Sequence, residues 1–219
     1  MAIAVDSIQL RMTQVIGTSL TVAHTCTGTD RFLIVYVYDA SNLVTGVTYA
    51  GNAMTLLGST PTGIGGEVLK IFGMFAPSTG ANNVVVTSSA SNVMYCSAQS
   101  YTGVFQSITP DAIITANPTS ISSPYTATIT TVASNCWTFL AVRSSVGGVT
   151  ASTGSTFRSS DSTVDGRNLA FYDSNGAKGS GSNSMAVTFT GTNTLGVIMF
   201  SLAPSSAPTN TSGLLMLFG

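Results

Sequence analysis

Charge is what this sequence has least of. Lysine, arginine, aspartate and glutamate make up 7% of the chain, against roughly 25% in an average soluble domain. The basic residues are scattered from Arg11 to Lys178, and the formal net charge is -1. No positive stripe exists to neutralise phosphates, so nucleic acid is not expected as a partner. Nor is there an acidic tract to meet a basic partner. Cysteine is scarce too. Cys26, Cys96 and Cys136 are odd in number and widely spaced, which excludes a disulfide framework or zinc motif and leaves small buried thiols. No apolar run approaches the ~18 residues of a membrane span, so no membrane partner is expected. The opening Met1-Ala-Ile-Ala-Val-Asp6 lacks the basic start and long apolar core of a secretory signal. The chain is therefore expected to fold where it is made, in a cytosol. With so little Glu, Lys and Arg, surface helices have few of their preferred residues.

The raw material for catalysis is also thin. His24 is the one histidine, on a Thr-rich stretch. A nucleophilic triad would need it to meet a Ser and an Asp in space. No Gly-x-Ser-x-Gly elbow is present. Among the acids, Asp161, Asp165 and Asp173 form the only cluster; they could offer oxygens to calcium, but their spacing matches no ion loop. Gly63-Ile-Gly-Gly66 precedes no helix, so it is no phosphate cradle. No catalytic residue, metal or cofactor is assigned, and the chain is not expected to be an enzyme. Tyr49, Tyr101, Tyr125 and Tyr172 could stack on sugars at loop edges; partly buried tyrosines are the plainer alternative.

What the sequence does contain is strand. Phe32 to Tyr38 is an unbroken apolar and aromatic run with charges at both ends. It is short for a helix, and its lack of alternation predicts a central strand covered on both faces. Cys136 to Val142 echoes it. Ser19–Thr27 and Tyr125–Val132 alternate Thr with apolar residues, as half-buried strands do. Val44–Tyr49 and Ala53–Leu57 flank Ala50-Gly51-Asn52, a tight-turn signal. Glu67–Ala76 reads as a strand with Lys70 reaching solvent. Asn83–Ser88 and Asn92–Tyr101 follow, separated by Ser89-Ala-Ser91. Residues 107–123 and 144–166 read as irregular, the latter with Phe157 as its bulky anchor, and Arg167–Asp173, Met185–Thr190 and Leu195–Ala203 complete the set. The sum is an all-β chain of about eleven or twelve strands, a two-sheet antiparallel β-sandwich of jelly-roll-like type. Each half has a Thr-rich strand, a turn at Asp30 or Asn135, then a buried strand. No fixed period links them, so sheet pairing and not duplication is the expected cause.

Three segments follow from composition. Residues 1–18 are an N-terminal arm or edge strand, 19–204 the sandwich, and 205–219 a linker with an apolar tail. Leu214, Leu215, Met216, Leu217 and Phe218 form a plug suited to a partner groove on a neighbouring subunit, or to folding back on its own domain.

The order of segments resembles a widespread family of β-sandwich domains (jelly-roll or concanavalin-like) found in phage virion proteins and bacterial surface proteins. The segments that carry the likeness are Asp30–Tyr38, Val47–Gly58, Leu69–Thr87 and Ala98–Gln106, with Ala127–Ala141 and Gly196–Pro204 fitting the same layout. Phe72 stands where that family typically has tryptophan. The resemblance implies fold and supplies no catalytic residues. Together with the low charge and the tail, it leads to the expectation of a structural, non-enzymatic virion protein of a tailed phage. Such a capsid decoration or tail component would sit in the virion, assembled in the host cytoplasm, with other virion proteins and copies of itself as partners. The alternative is a carbohydrate-binding or adhesin module with a surface glycan as its partner.

Overall fold

β-branched and aromatic runs between turn residues leave little else for this chain to be. The computed structural model describes residues 1–63, 65–145, 148–161 and 168–205. It contains sixteen strands and, among those residues, no helix. Every ladder between strands is antiparallel. The first half holds β1 (Ala4–Ile8), β2 (Thr13–Cys26), β3 (Phe32–Asp39), β4 (Val44–Tyr49), β5 (Asn52–Ala53), β6 (Thr55–Pro61), β7 (Val68–Phe75) and β8 (Gly80–Thr102). The second holds β9 (Ala112–Ala116), β10 (Tyr125–Thr131), β11 (Trp137–Ser144), β12 (Thr150–Ala151), β13 (Thr156–Ser160), β14 (Asn168–Asp173), β15 (Gly181–Thr188) and β16 (Leu195–Leu202). No strand of one half joins a named ladder of the other.

The strands stack in four layers around three cores. β3 is buried along its whole length, as its sequence predicts. Phe32, Ile34, Tyr36 and Tyr38 face a central core; Leu33, Val35 and Val37 face a second, with Leu20 and Val22 of β2, Val47 and Tyr49 of β4, and Val84 and Val86 of β8. β11 and β16 do the same from the other side. Phe139, Ala141, Ile198 and Phe200 meet the central core, while Leu140, Val142, Val197 and Met199 meet a third core under β10 and β15. The two unbroken apolar runs are thus the inner strands of two layered halves packed against each other.

The halves are copies of one design, which corrects the expectation of no duplication. β3 pairs with β8 from Phe32↔Tyr101 to Asp39↔Met94, and β11 pairs with β16 from Trp137↔Leu202 to Ser144↔Leu195. β2 pairs with the first part of β8 up to Cys26↔Gly80, and β10 with β15 up to Thr131↔Gly181. Gly80 and Gly181 both take positive φ there, as do Asp30 and Asn135 in the preceding turns. The β6–β7 ladder slips between Leu56 and Gly58, and the β13–β14 ladder between Phe157 and Ser159, so the same bulge recurs. β1 and β9 occupy equivalent edges, on β8 and β16. Loop lengths differ between the halves, which is why no fixed period marks the repeat.

Other expectations change in detail. Ser89-Ala-Ser91 is not a break: β8 runs through it as one 23-residue strand. Its ladder with β2 skips from Asn92 to Thr87, and there β8 passes from the inner to the outer layer. In the second half the chain leaves strand between β15 and β16 at the corresponding place. β9 lies inside the stretch expected to be loop, and β12 and β13 inside 144–166, because pairing with β16, β15 and β14 compensates weak intrinsic signals. Residues 1–18 supply β1 and the start of β2, both bonded to β8.

The β4–β5 hairpin closes through Ala50 and Gly51, at φ 51° and 79°, with Tyr49 paired to Asn52. Positive φ at both central positions is type I′ geometry, which favours Asn-Gly. Ala50, not Asn52, therefore bears the unfavourable conformation. Ala50→Asn is expected to raise stability by about 0.5–1 kcal/mol in urea unfolding; an unchanged midpoint would contradict the turn assignment.

Candidate functional site

His24 does meet a serine and an aspartate in space. Its Nε2 lies 3.0 Å from Ser100 Oγ, and Ser100 Oγ donates to Asp6 Oδ2 at 2.7 Å. Asp6 also accepts from the Thr27 amide at 2.8 Å and from the Thr27 hydroxyl. The order is wrong for a nucleophilic triad, where histidine sits between serine and carboxylate. Here the serine sits in the middle. Its one proton goes to Asp6, so His24 must donate through Nε2 and cannot act as the serine's base. Ser100 is fully buried and His24 is 5% exposed.

The second half shows what the arrangement does. Asp111 accepts from the amides of Val132 and Ala133, each at 3.0 Å, and from Ser201 Oγ at 3.0 Å. Asp6, Thr27 and Ser100 thus correspond to Asp111, Val132 and Ser201. The residue matching His24 is Ile129, on the equivalent rung of β10. The same carboxylate clamp works without a histidine. Its shared task is to fasten the strand entering each half to the turn after the Thr-rich strand and to the inner layer.

Burial holds His24 down to about 4, against the opposing pull of the Asp6 carboxylate. The folded protein keeps it neutral while the unfolded chain takes up a proton near 6.5. Between those values the unfolded state binds more protons, so stability falls as pH falls. For Asp6, burial works to raise the carboxyl, but the Thr27 and Ser100 hydrogen bonds and His24 outweigh it and leave it below its ordinary value. Its contribution is complete above the ordinary carboxylate range and is lost as pH drops through the folded value. Unfolding free energy should drop by up to ~1.4 kcal/mol per pH unit on acidification through the His24 window. His24→Gln should flatten that slope; an unaltered slope would place the pH dependence elsewhere.

Three ion pairs, buried or nearly so, take up six more of the charged residues. Lys70 donates to Asp39 at 2.7 Å and to the Val44 carbonyl at 3.0 Å. Asp39 also accepts from the Leu43 and Val44 amides and from Asn92. Burial pushes the Asp39 carboxyl up, and Lys70 with the two amides and Asn92 more than reverses it, holding it below its ordinary value. Lys70 is therefore buried, contrary to the expectation that it reaches solvent. Glu67 pairs with Arg143 at 2.8 Å across the two halves, and Arg158 with Asp173 at 2.6 Å.

Two of these pairs sit at positions where the other half carries uncharged residues at both corresponding places. Asn92 donates to Asp39, and its counterpart Asn193 donates to Ser144 at 2.7 Å. Lys70 lies opposite Val37, and Ala170 opposite the matching Val142. The second half therefore has Ser144 and Ala170 where the first has Asp39 and Lys70. Removing one partner of a buried pair costs about 3–5 kcal/mol, while removing both is far cheaper. Lys70→Ala alone is expected to cost that much, and Asp39→Ser with Lys70→Ala at least ~2 kcal/mol less than the sum of the single changes. An additive double-mutant cycle would refute the coupling.

The remaining candidates scatter. Tyr49, Tyr101 and Tyr172 are fully buried, so they cannot stack on sugars at loop edges; Tyr125 is half-buried. Among the described residues the exposed aromatic rings are those of Phe105 and Phe157. Asp161 and Asp173 sit at opposite ends of the β13–β14 ladder, and Asp165 lies outside the described residues. Among the described residues no group of three His, Cys, Asp or Glu could hold a metal ion. All three cysteines are free and buried. Leu214, Leu215, Met216, Leu217 and Phe218 lie outside the described residues.

A feature that sequence reasoning missed is a surface groove where the halves join. One recess of about 200 Å³ is lined by Phe75, Phe105, Ser107, Asp111, Leu202 and Ala203. A second of about 250 Å³ is lined by Thr55, Leu57, Met74, Phe75, Ser107 and Ile108. They share Phe75 and Ser107. The apolar Phe105 and Ile108 in the connector between halves were the available signal. Comparison with known protein families, characterised proteins and solved structures finds no match to this chain.

Proposed function

We propose that this protein is a structural, non-enzymatic subunit of a tailed-phage particle, as capsid decoration or as a tail component. It acts through contacts with other virion proteins and copies of itself. The observation that carries this reading is where the charge sits. Among the described residues Arg11 is the one charged side chain exposed to solvent; the others are half-buried or buried, and six of them are spent in three ion pairs. The outer layers present hydroxyls instead, through Ser19, Thr21 and Thr25 of β2 and Thr126, Thr128 and Thr130 of β10. Such a surface has little colloidal repulsion, which suits a molecule that works by association. Repetition by symmetry lets individually weak contacts add up.

On the same reading each half is a small β-sandwich, and the chain is two of them back to back, in place of one jelly-roll-like sandwich spanning 19–204. The resemblance to phage and bacterial-surface sandwich domains fits this arrangement. A carbohydrate-binding module is the weaker reading, since three of its four stacking tyrosines are buried in the core.

Mass spectrometry of purified phage particles should find the chain in repeated, stoichiometric copies. A variant carrying Thr21→Lys, Thr25→Lys, Thr128→Lys and Thr130→Lys should keep its unfolding midpoint and lose incorporation. A chain missing from every particle preparation, or incorporated regardless of added surface charge, would overturn the proposal.

A further inference from the structure

The groove at the junction of the halves is lined by apolar side chains such as Phe75, Phe105 and Leu57 together with Thr55, Ser107 and Asp111, and has no described occupant. Phe105 is 51% exposed and Ile108 86% exposed, both on the connector between Thr102 and β9. Leu57, Met74 and Phe75 of β6 and β7 line it from the first half. Each recess is smaller than the ~300–1,000 Å³ usual for small-molecule pockets. Their size suits individual side chains of a peptide laid along the groove.

The chain itself carries a segment of matching chemistry. Leu214-Leu-Met-Leu-Phe218 follows a stretch of Ser, Thr, Ala, Pro, Asn and Gly that begins at Ser205. At Ser205 the chain is heading away from its own groove. Phe105 N–H donates to the Ala203 carbonyl at 2.8 Å, and Ser205 N–H to the Gly103 carbonyl at 2.8 Å. The two segments run antiparallel. Passing from Ala203 to Ser205 therefore moves from Phe105 towards Gly103, away from the groove, which extends beyond Phe105 to Asp111. A return to the same molecule's groove requires a full reversal inside the linker. A neighbouring molecule's groove requires none, and the residues from Ser205 to Gly213 span up to ~30 Å when extended.

We propose that this groove is the seat for the Leu214–Phe218 segment of a second copy of the chain. The contact is head-to-tail, so each molecule offers one tail and one groove, and assembly can continue in rings or files. The proposal rests on the assembly reading above and names one of its contacts. The apolar segment contributes burial of surface that would otherwise face water, and the neutral linker sets reach.

The test uses two full-length variants. One breaks the groove with Phe105→Asp and Ile108→Asp; both side chains are exposed, so the fold should persist, as an unchanged unfolding midpoint would verify. The other breaks the tail with Leu214→Asp and Leu217→Asp. Sedimentation velocity over a concentration series should show the unaltered protein growing beyond one chain, and each variant associating at least tenfold more weakly. Mixing the variants should give a dimer that grows no further, since only one intact tail and one intact groove remain. A wild-type protein that stays a single chain throughout, as it would with its own tail in its own groove, overturns the proposal. So does either variant associating like wild type, or a mixture that forms no dimer. The particle assay reports separately. Stoichiometric incorporation without complementation would sink this contact alone, and complementation without incorporation would sink the particle reading alone.

Discussion

The aromatic core between the two halves is the contact on which the rest of the molecule depends. Phe139 stacks on Phe200 with ring centroids 4.7 Å apart, and Tyr101 meets Phe139 edge-on at 5.0 Å. Two tyrosine hydroxyls are satisfied across the junction: Tyr36 donates to the Val142 carbonyl at 2.9 Å and Tyr101 to Asp173 at 2.9 Å. Burial alone would make these phenols costly; their partners remove most of that cost. Each inner layer is covered on its second face by its own outer layer. That double covering is why β3 and β11 are unbroken apolar runs, while the outer β2 and β10 alternate threonine with apolar residues.

Duplication also explains how so few charges are arranged. Each half keeps a buried ion pair that the other lacks, and both members differ together. Arg158 and Asp173 fill positions where the first half has Leu57 and Gly73, and a Cβ on Gly73 would lie 2.5 Å from Leu57. Asp39 and Lys70 face Ser144 and Ala170 in the same way. A half-exchanged pair would strand a charge in the interior, so intermediates with one partner are the expensive ones. By contrast the Asp6 and Asp111 clamps are kept in both halves. Asp6 holds one backbone amide and two hydroxyls and Asp111 two amides and a hydroxyl, so losing either carboxylate would leave at least three donors without that partner.

How far the sequence could be read follows from these layers. β3 was plain because both faces carry apolar side chains, and the Thr-rich strands because one face does. β12 and β5 were not, since two residues carry no period. β9 was hidden by Pro, Ser and Thr around it, and only pairing with β16 makes it strand. The copy relationship was masked by unequal loops, although Asp30 and Asn135 already marked equivalent turns. Of the candidate chemistry, His24 is the residue that stands out in the sequence, while Asp6 and Asp111, which carry the recurring clamp, give no signal of their own. An aspartate just before an alternating strand reads as ordinary turn chemistry until its twin is seen.

The same economy that clears charge from the surface shapes what the surface can do. Ion pairs at a rim steer partners and reject wrong ones. With Arg11 alone among the described charges exposed, that means of discrimination is nearly absent. Selectivity must then come from shape and from the few apolar side chains left outside, such as Phe105, Ile108 and Phe157. These fall on the connector and on β13, while Ile16 on β2 and Val132 just after β10 are exposed as well. An outer face of threonine rows offers contacts that are individually weak and gain strength only by repetition. A sharp contact is more readily built at the junction groove, where apolar walls and a defined cleft coincide. Packing the two β units back to back leaves a recess at their junction, lined by Phe75 of the first unit, Phe105 of the connector and Leu202 of the second.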